Sequence, residues 1–268
     1  MSTFAPALQG GAAARRLVPR RRWLDELPWD ERLPDDAAAA RSTWTQTAFS
    51  EYASAAAFTE IASALLAAGA PIDLVATAAD FAVDEVVHVE ASARLAGALG
   101  GGVALEVELT RLVRPAESTD PRMRAAELIV RTCCVGEALT VPLLALTREV
   151  AGSTLVAAAL RRILQDEAQH ALFGGWYLDW ADAWLDDDAR ARLGRVAGTA
   201  LRAFAPLLAI DCERSGLGVV ACDPFDARLV DAAHRRVAEP LAARGIVIPA
   251  DDLATLTATR AHEAPRMG

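Results

Sequence analysis

At 268 residues, with 53% hydrophobic but only 6% aromatic side chains, the chain has room for one large domain with appendages or two small ones. Its formal charge of −9 argues against a protein built mainly to grip phosphate backbones, and so makes nucleic acid an unfavoured partner. Four cysteines, Cys133, Cys134, Cys212 and Cys222, form no C-x-x-C pair and suggest no disulfide framework, which fits a reducing compartment. No apolar stretch follows the arginines at 15–22, and no run of about 18 apolar residues is free of charge, so the expectation is a soluble, cytoplasmic chain with no membrane partner.

Alanine and leucine runs with few β-branched alternations predict an all-α fold. Residues 1–43 read as an N-terminal arm, solvated in part, with Trp23 and Trp29 available to pack on the body. A first helix is predicted from about Trp44 to Ala68, ending at Gly69, with Pro71 placed to open the next. The second runs from Ile72 to Leu99 and stops at Gly100-Gly101-Gly102. Residues 103–119 suit a long connection. A third helix starts near Pro121 and ends near Gly152, and Ser153 can cap a fourth that reaches about Trp184. Residues 187–268 add a fifth helix to about Cys212 and one more amphipathic helix from Pro224. The order is therefore helix hairpin, long crossover, helix hairpin over residues 44–186, followed by a helical C-terminal extension.

The chemistry is concentrated in two strings, Asp84-Glu85-Val86-Val87-His88 and Asp166-Glu167-Ala168-Gln169-His170. Each has the form D-E-x-x-H, and a spacing of three puts Glu and His one turn apart on one helical face, where both reach a single metal. Only four histidines occur in the chain, and two of them sit in this pattern. His234 and His262 lie in the tail with no partner pattern and read as surface residues.

Each E-x-x-H needs a carboxylate from a partner helix. In the second hairpin Glu137 precedes Glu167 with its midpoint on the Gly152-Ser153 turn, so antiparallel helices bring the two level. Its face reads Val130, Cys133, Cys134, Glu137, Val141, Leu144, an apolar stripe in which a lone carboxylate is costly. In the first hairpin Glu51 and Glu60 lie about 180° apart around a helix, so one faces inward. Glu51 sits among Trp44, Ala48, Ala55, Phe58 and Leu65, whereas the Glu60 face is small and weakly apolar, so Glu51 is chosen. Asp84 and Asp166 are candidates to hold the second ring nitrogen of a ligand histidine. Pro142 interrupts the third helix beside Glu137, and Phe58, Cys133, Cys134, Thr140 and Tyr177 are candidate pocket residues.

Glu51, Glu85-x-x-His88, Glu137 and Glu167-x-x-His170, with the strings Glu51-Tyr-Ala-Ser-Ala-Ala-Ala-Phe58 and Cys134-Val-Gly-Glu137, resemble bacterial ferritin-like di-iron carboxylate proteins. The resemblance covers residues 44–186 and fills all six ligand positions. It implies a ferritin-like four-helix bundle holding two iron ions, with manganese or a mixed pair as the alternative, each histidine on one ion and glutamates bridging. It further implies O2 as co-substrate, a small-molecule substrate and an electron donor such as a ferredoxin or reductase.

Three functions fit such a site: an O2-activating oxygenase or oxidase, a ferroxidase, iron-storage or peroxide-scavenging protein, and a tRNA hydroxylase. Two complete E-x-x-H pairs and the long extension favour the first, and the charge of −9 disfavours the third. Nothing in the chain suggests a cage, so a monomer or small homo-oligomer is expected. The choice of helix face is directly testable. Glu51→Ala is expected to lose most of one bound metal ion, while Glu60→Ala binds metal nearly as wild type. Metal analysis of the two purified variants decides it, and the reverse pattern refutes the assignment.

Overall fold

The computed structural model describes residues 2–6, 11–33, 37–209 and 216–258. The described residues are all-α apart from a two-residue antiparallel ladder, in which β1 (Ser2–Thr3) pairs with β2 (Glu106–Val107). They divide into two units. Unit 1 comprises Met1–Pro115, Thr147–Asp166 and Arg214–Val219, and unit 2 comprises Ala116–Leu146, Glu167–Glu213 and Val220–Gly268.

Unit 1 is built on a helix hairpin, α2 (Ala38–Ala67) and α3 (Ile72–Ala98). Its turn uses Gly69 in the left-handed conformation at φ 66, with Ala70 N–H reaching back to the Leu65 carbonyl at 3.0 Å. Only glycine takes that φ without strain, which is why the helix ends there. Small residues of α2 (Ala48, Ala55, Ala64) are buried beside Phe58, Ile61 and Leu65. The helix begins six residues before the predicted start at Trp44, since Ala38-Ala39-Ala40 continue it.

The arginine-rich stretch of the arm is itself a helix, α1 (Gly11–Asp25), which packs on α3. Arg20 pairs with Asp80 and Asp84, and Arg21 with Glu90, while Leu24 is fully buried. Beyond α1, Glu31 accepts from the backbone N–H groups of Thr154 (3.2 Å) and Leu155 (2.7 Å). These are two of the orphan donors that open α6 (Thr154–Ala181), and a carboxylate suits that end of a helix. Ser153 caps the same end by accepting from Val156 N–H.

Unit 2 begins with α4 (Pro121–Ile129), capped by Asp120 with Pro121 in its first turn. It continues without a break through a π-helical segment (Val130–Glu137) into α5 (Ala138–Glu149). The division between units falls within α5, after Leu146, and within α6, between Asp166 and Glu167. The unit then adds α7 (Asp187–Arg202), capped by Asp186, α8 (Cys222–Ala232), a second π-helical segment (Ala233–Ala238), α9 (Glu239–Ala242) and α10 (Ala250–Ala258).

The first π segment changes the buried face predicted for this rod. Val130, Cys133, Cys134 and Glu137 are buried as their spacing implies, but the stripe then passes to Leu139, Leu143 and Leu146 instead of Val141 and Leu144. A π-helix turns through fewer degrees per residue than an α-helix, so later residues reach the inner side. Pro121–Glu149 is also the one helix among the described residues long and apolar enough to cross a membrane, by length and composition only, and 56% of its most apolar window is buried within the protein.

Glu127, a buried carboxylate outside the candidate set, is fully satisfied within unit 2. It accepts from Glu117 N–H at 2.6 Å and Ser118 N–H at 3.2 Å and pairs with Arg192 of α7. Cys133 and Cys134 are buried and form no disulfide, but Cys222 is disulfide-bonded, which corrects the expectation of no disulfide. Spacing alone carries no signature for such a bridge. The compartment argument drawn from the cysteines therefore falls away. Cys212 and His262 lie outside the described residues, and His234 is exposed.

On α7, Gly194 and Gly198 admit the segment that leads into α10. A Cβ at Gly194 would lie 2.1 Å from the Val247 carbonyl oxygen, a backbone atom that cannot swing aside. Gly194→Ala is expected to lower stability by roughly 1–3 kcal/mol through overpacking. Gly97→Ala, near the end of α3 with nothing within 4 Å of its added methyl, is expected to be neutral or stabilising. Urea unfolding midpoints of the two variants check the contrast, and equal midpoints contradict it.

Candidate metal centre

In unit 1 the α2–α3 hairpin sets Glu51 opposite the E-x-x-H of α3. Glu51 (7% exposed), Glu85 and His88 (both fully buried) each offer a ligand atom, and these atoms lie within 4.8 Å of one another. Glu60 is only partly buried. His88 Nδ1 stands 3.6 Å from Glu85 Oε2, on the side of the carboxylates. Its other nitrogen, Nε2, lies 3.3 Å from Asp166 Oδ2. With Nε2–H donating to Asp166, the neutral ring presents its Nδ1 lone pair to the carboxylate side, the arrangement a metal-binding imidazole requires.

Asp166 is itself fixed. Its Oδ1 pairs with Arg162 Nη2 at 2.9 Å, and the Arg162 guanidinium lies 5.9 Å from the Trp23 ring centroid. Asp84, next to the ligand Glu85, is buried and paired with Arg20 at 3.2 Å. The hydrogen bond to Asp80 is the main influence raising the Arg20 pKa, with the Asp84, Asp80 and Asp166 charges adding to it against desolvation. The arm thus delivers an arginine and an aromatic ring to the aspartates that flank the site. The Arg162–Asp166 pair is legible as an i, i+4 contact. Nothing in the sequence pairs Arg20 with Asp84.

In unit 2 the corresponding group is Glu137, the last residue of the π segment, with Glu167 and His170 of α6. All three are buried, and their ligand atoms again lie within 4.8 Å of one another. His170 Nδ1 is 3.2 Å from Glu167 Oε2. The close approach of α6 to the π segment depends on Gly174, one turn beyond His170. A Cβ there would stand 2.5 Å from Cys134 Sγ and 3.2 Å from its backbone nitrogen. Thr140 Oγ1 donates to the Gly136 carbonyl at 3.0 Å, occupying an acceptor beside the π segment.

Each group combines two carboxylates and an imidazole with almost no access to water. Carboxylates held so close repel one another, and a cation between them relieves the repulsion. A set of oxygen and nitrogen donors, with no thiolate among them, fits hard-to-borderline divalent ions. The protein therefore contains buried Glu/His groups, including Glu85, His88, Glu167 and His170, that can hold metal.

The remaining candidate residues are placed as follows. Phe58 is core, edge-to-face with Phe81 at 5.4 Å. Cys133 is fully buried. Tyr177 is buried with its hydroxyl donating to the Arg122 carbonyl, and burial raises its pKa. Cys134 and Pro142 line a cavity of about 550 Å3 within unit 2. Burial pushes the Cys134 thiol up to about 12, which makes it a packing residue and not a thiolate at neutral pH. No protein-family model, curated protein or solved structure matches this chain.

If Asp166 orients His88, Asp166→Asn removes the carboxylate that stabilises the ring's Nε2–H while conserving shape. The expected result is a loss of about 10- to 100-fold in affinity for one metal ion, read by competition with a chromophoric chelator. Wild-type affinity in that variant would show that the contact is incidental.

Proposed function

We propose that the protein is a non-haem di-iron oxidase or oxygenase of the ferritin-like four-helix-bundle type, acting on a small organic substrate with O2, with Glu51, Glu85, His88, Glu137, Glu167 and His170 as its metal ligands. The repeated D-E-x-x-H, the helix pair–crossover–helix pair order and the matching Glu/Glu/His composition of the two triads support this reading. In this reading the four glutamates and two histidines would hold the two ions, each histidine serving one of them.

A ferrous pair, when bound, supplies two electrons to O2 at one place. The chain's own part is to hold and shield. Asp166 keeps the proton on His88 Nε2 so that Nδ1 remains a ligand. Arg162 and Arg20 hold Asp166 and Asp84 in place through ion pairs. The buried alanine, leucine and valine surfaces of α2 and α3, and of α4 and the π segment, exclude water from the carboxylates.

The observation that carries the enzyme reading over storage is the cavity in unit 2. Its wall includes Ala138, Ala168 and Ala171, the immediate chain neighbours of Glu137, Glu167 and His170. A storage site has no use for a roomy, mostly apolar cavity beside its ligands, whereas a substrate does. An electron donor such as a ferredoxin or reductase completes the proposal.

Protein from iron-replete cells is expected to hold about two iron ions per chain. Its reduced form is expected to consume about one O2 per iron pair in a single event, followed by elemental analysis and an oxygen electrode. One tightly held zinc ion per chain, unaffected by anaerobic iron loading, contradicts the di-iron assignment. A large shell that mineralises excess ferrous iron moves the assignment to storage.

A further inference from the structure

The cavity in unit 2 has a chemical polarity that names its occupant. Its volume of about 550 Å3 lies in the size range of small-molecule sites, about 300–1,000 Å3. Its lining includes hydrocarbon side chains, Val141 of α5, Leu172 and Leu178 of α6, and Leu241 of α9. Leu172 is 52% exposed. The lining also includes three cationic side chains, Arg235 and Arg236 of the second π segment and Arg244 just past α9.

The three guanidinium groups are not equivalent. Arg235 pairs with Asp231 at 2.7 Å on the exposed side of the helix. Arg244 is held by Asp179, at 2.9 Å from Nη2, and by the Pro240 carbonyl. Its Nη2 lies over Gly175, 3.5 Å from where a Cβ would stand, so the bare glycine leaves room for the head group. Arg236 has no ion pair among the described residues. Asp231 and Asp179 thus partner Arg235 and Arg244, which leaves the Arg236 guanidinium for a ligand.

The two π-helical segments also meet here. They pack on one another, and the cavity takes Cys134 from the first and Arg235, Arg236 and Val237 from the second. π-helical turns recur at functional sites because they displace side chains from the regular helical stripe. The first displaces Val141 from the core stripe into the cavity wall, and the second sets consecutive arginines on the rim.

We propose that this cavity binds an aliphatic molecule bearing a single anionic head group, its tail along Val141, Leu172, Leu178 and Leu241 and its head on Arg236 and Arg244. This names the substrate class for the oxidase reading and rests on it for the fate of the ligand. Binding itself requires only the cavity.

The test is calorimetric titration of the full chain, as purified, with decanoate, decyl phosphate and 1-decanol, with iron counted in the same samples. Decanoate or decyl phosphate is expected to bind at least about tenfold more tightly than the alcohol, and the tighter of the two assigns the head group. Arg236→Glu, an exposed change without an ion pair to break, is expected to weaken anion binding by about tenfold or more, and Arg236→Lys by less. Leu172→Asp, at a half-exposed wall position, is expected to abolish it. Equal affinity for the alcohol and the anions, or an unaffected Arg236→Glu variant, overturns the proposal. Two iron ions per chain without anion binding removes the pocket alone. Anion binding without iron keeps the pocket and removes the dinuclear reading.

Discussion

Four glutamates and two histidines lie almost wholly out of water in a chain whose other buried side chains are mainly alanine, leucine and valine. Withdrawing an ionised carboxylate from water is costly, and placing two of them within 4.8 Å of one another adds repulsion to desolvation. Such groups are stabilised by a positive charge, and a metal ion is one that suits a carboxylate–imidazole set. Arg20 and Arg162 serve Asp84 and Asp166, and Arg192 serves Glu127. Glu127 shows how this protein satisfies a structural buried carboxylate, with two backbone donors and one guanidinium. The triads instead gather carboxylates around imidazoles, and that difference in company separates a metal ligand from a structural anion.

Much of the architecture around this constraint follows from it. Small side chains in α2 and the bare Gly174 of α6 let helices approach closely enough for ligands on different elements to share an ion. The arm is recruited through Arg20, Trp23 and Glu31 to the aspartates beside the histidines and to the open end of α6. It acts as a brace for the site.

The sequence showed the E-x-x-H pairs because they are local: three residues on a helix define one face regardless of tertiary context. The burial of Glu51 and Glu137 was legible because each is a carboxylate in an apolar stripe. The π-helical winding at Val130–Glu137 was not, because the residues there follow an ordinary 3.6-residue pattern up to Glu137 and the departure shows only downstream, where Leu143 replaces Val141 inside. The helix of the arm was hidden by its arginines, which read as a solvated run until Asp80, Asp84 and Glu90 of α3 are seen to receive them. The bridge at Cys222 was hidden because disulfide pairing depends on three-dimensional geometry, which spacing does not encode.

The proposal that the chain holds a metal pair is tested most directly by magnetic coupling between bound ions. Manganese(II) can be titrated into metal-depleted protein and followed by electron paramagnetic resonance. The account predicts that the second equivalent produces an exchange-coupled pair spectrum, with signal lost relative to two independent ions, and that Glu85→Ala or Glu167→Ala abolishes the coupling. Two uncoupled manganese spectra at full occupancy, each with the intensity of an isolated ion, would contradict it.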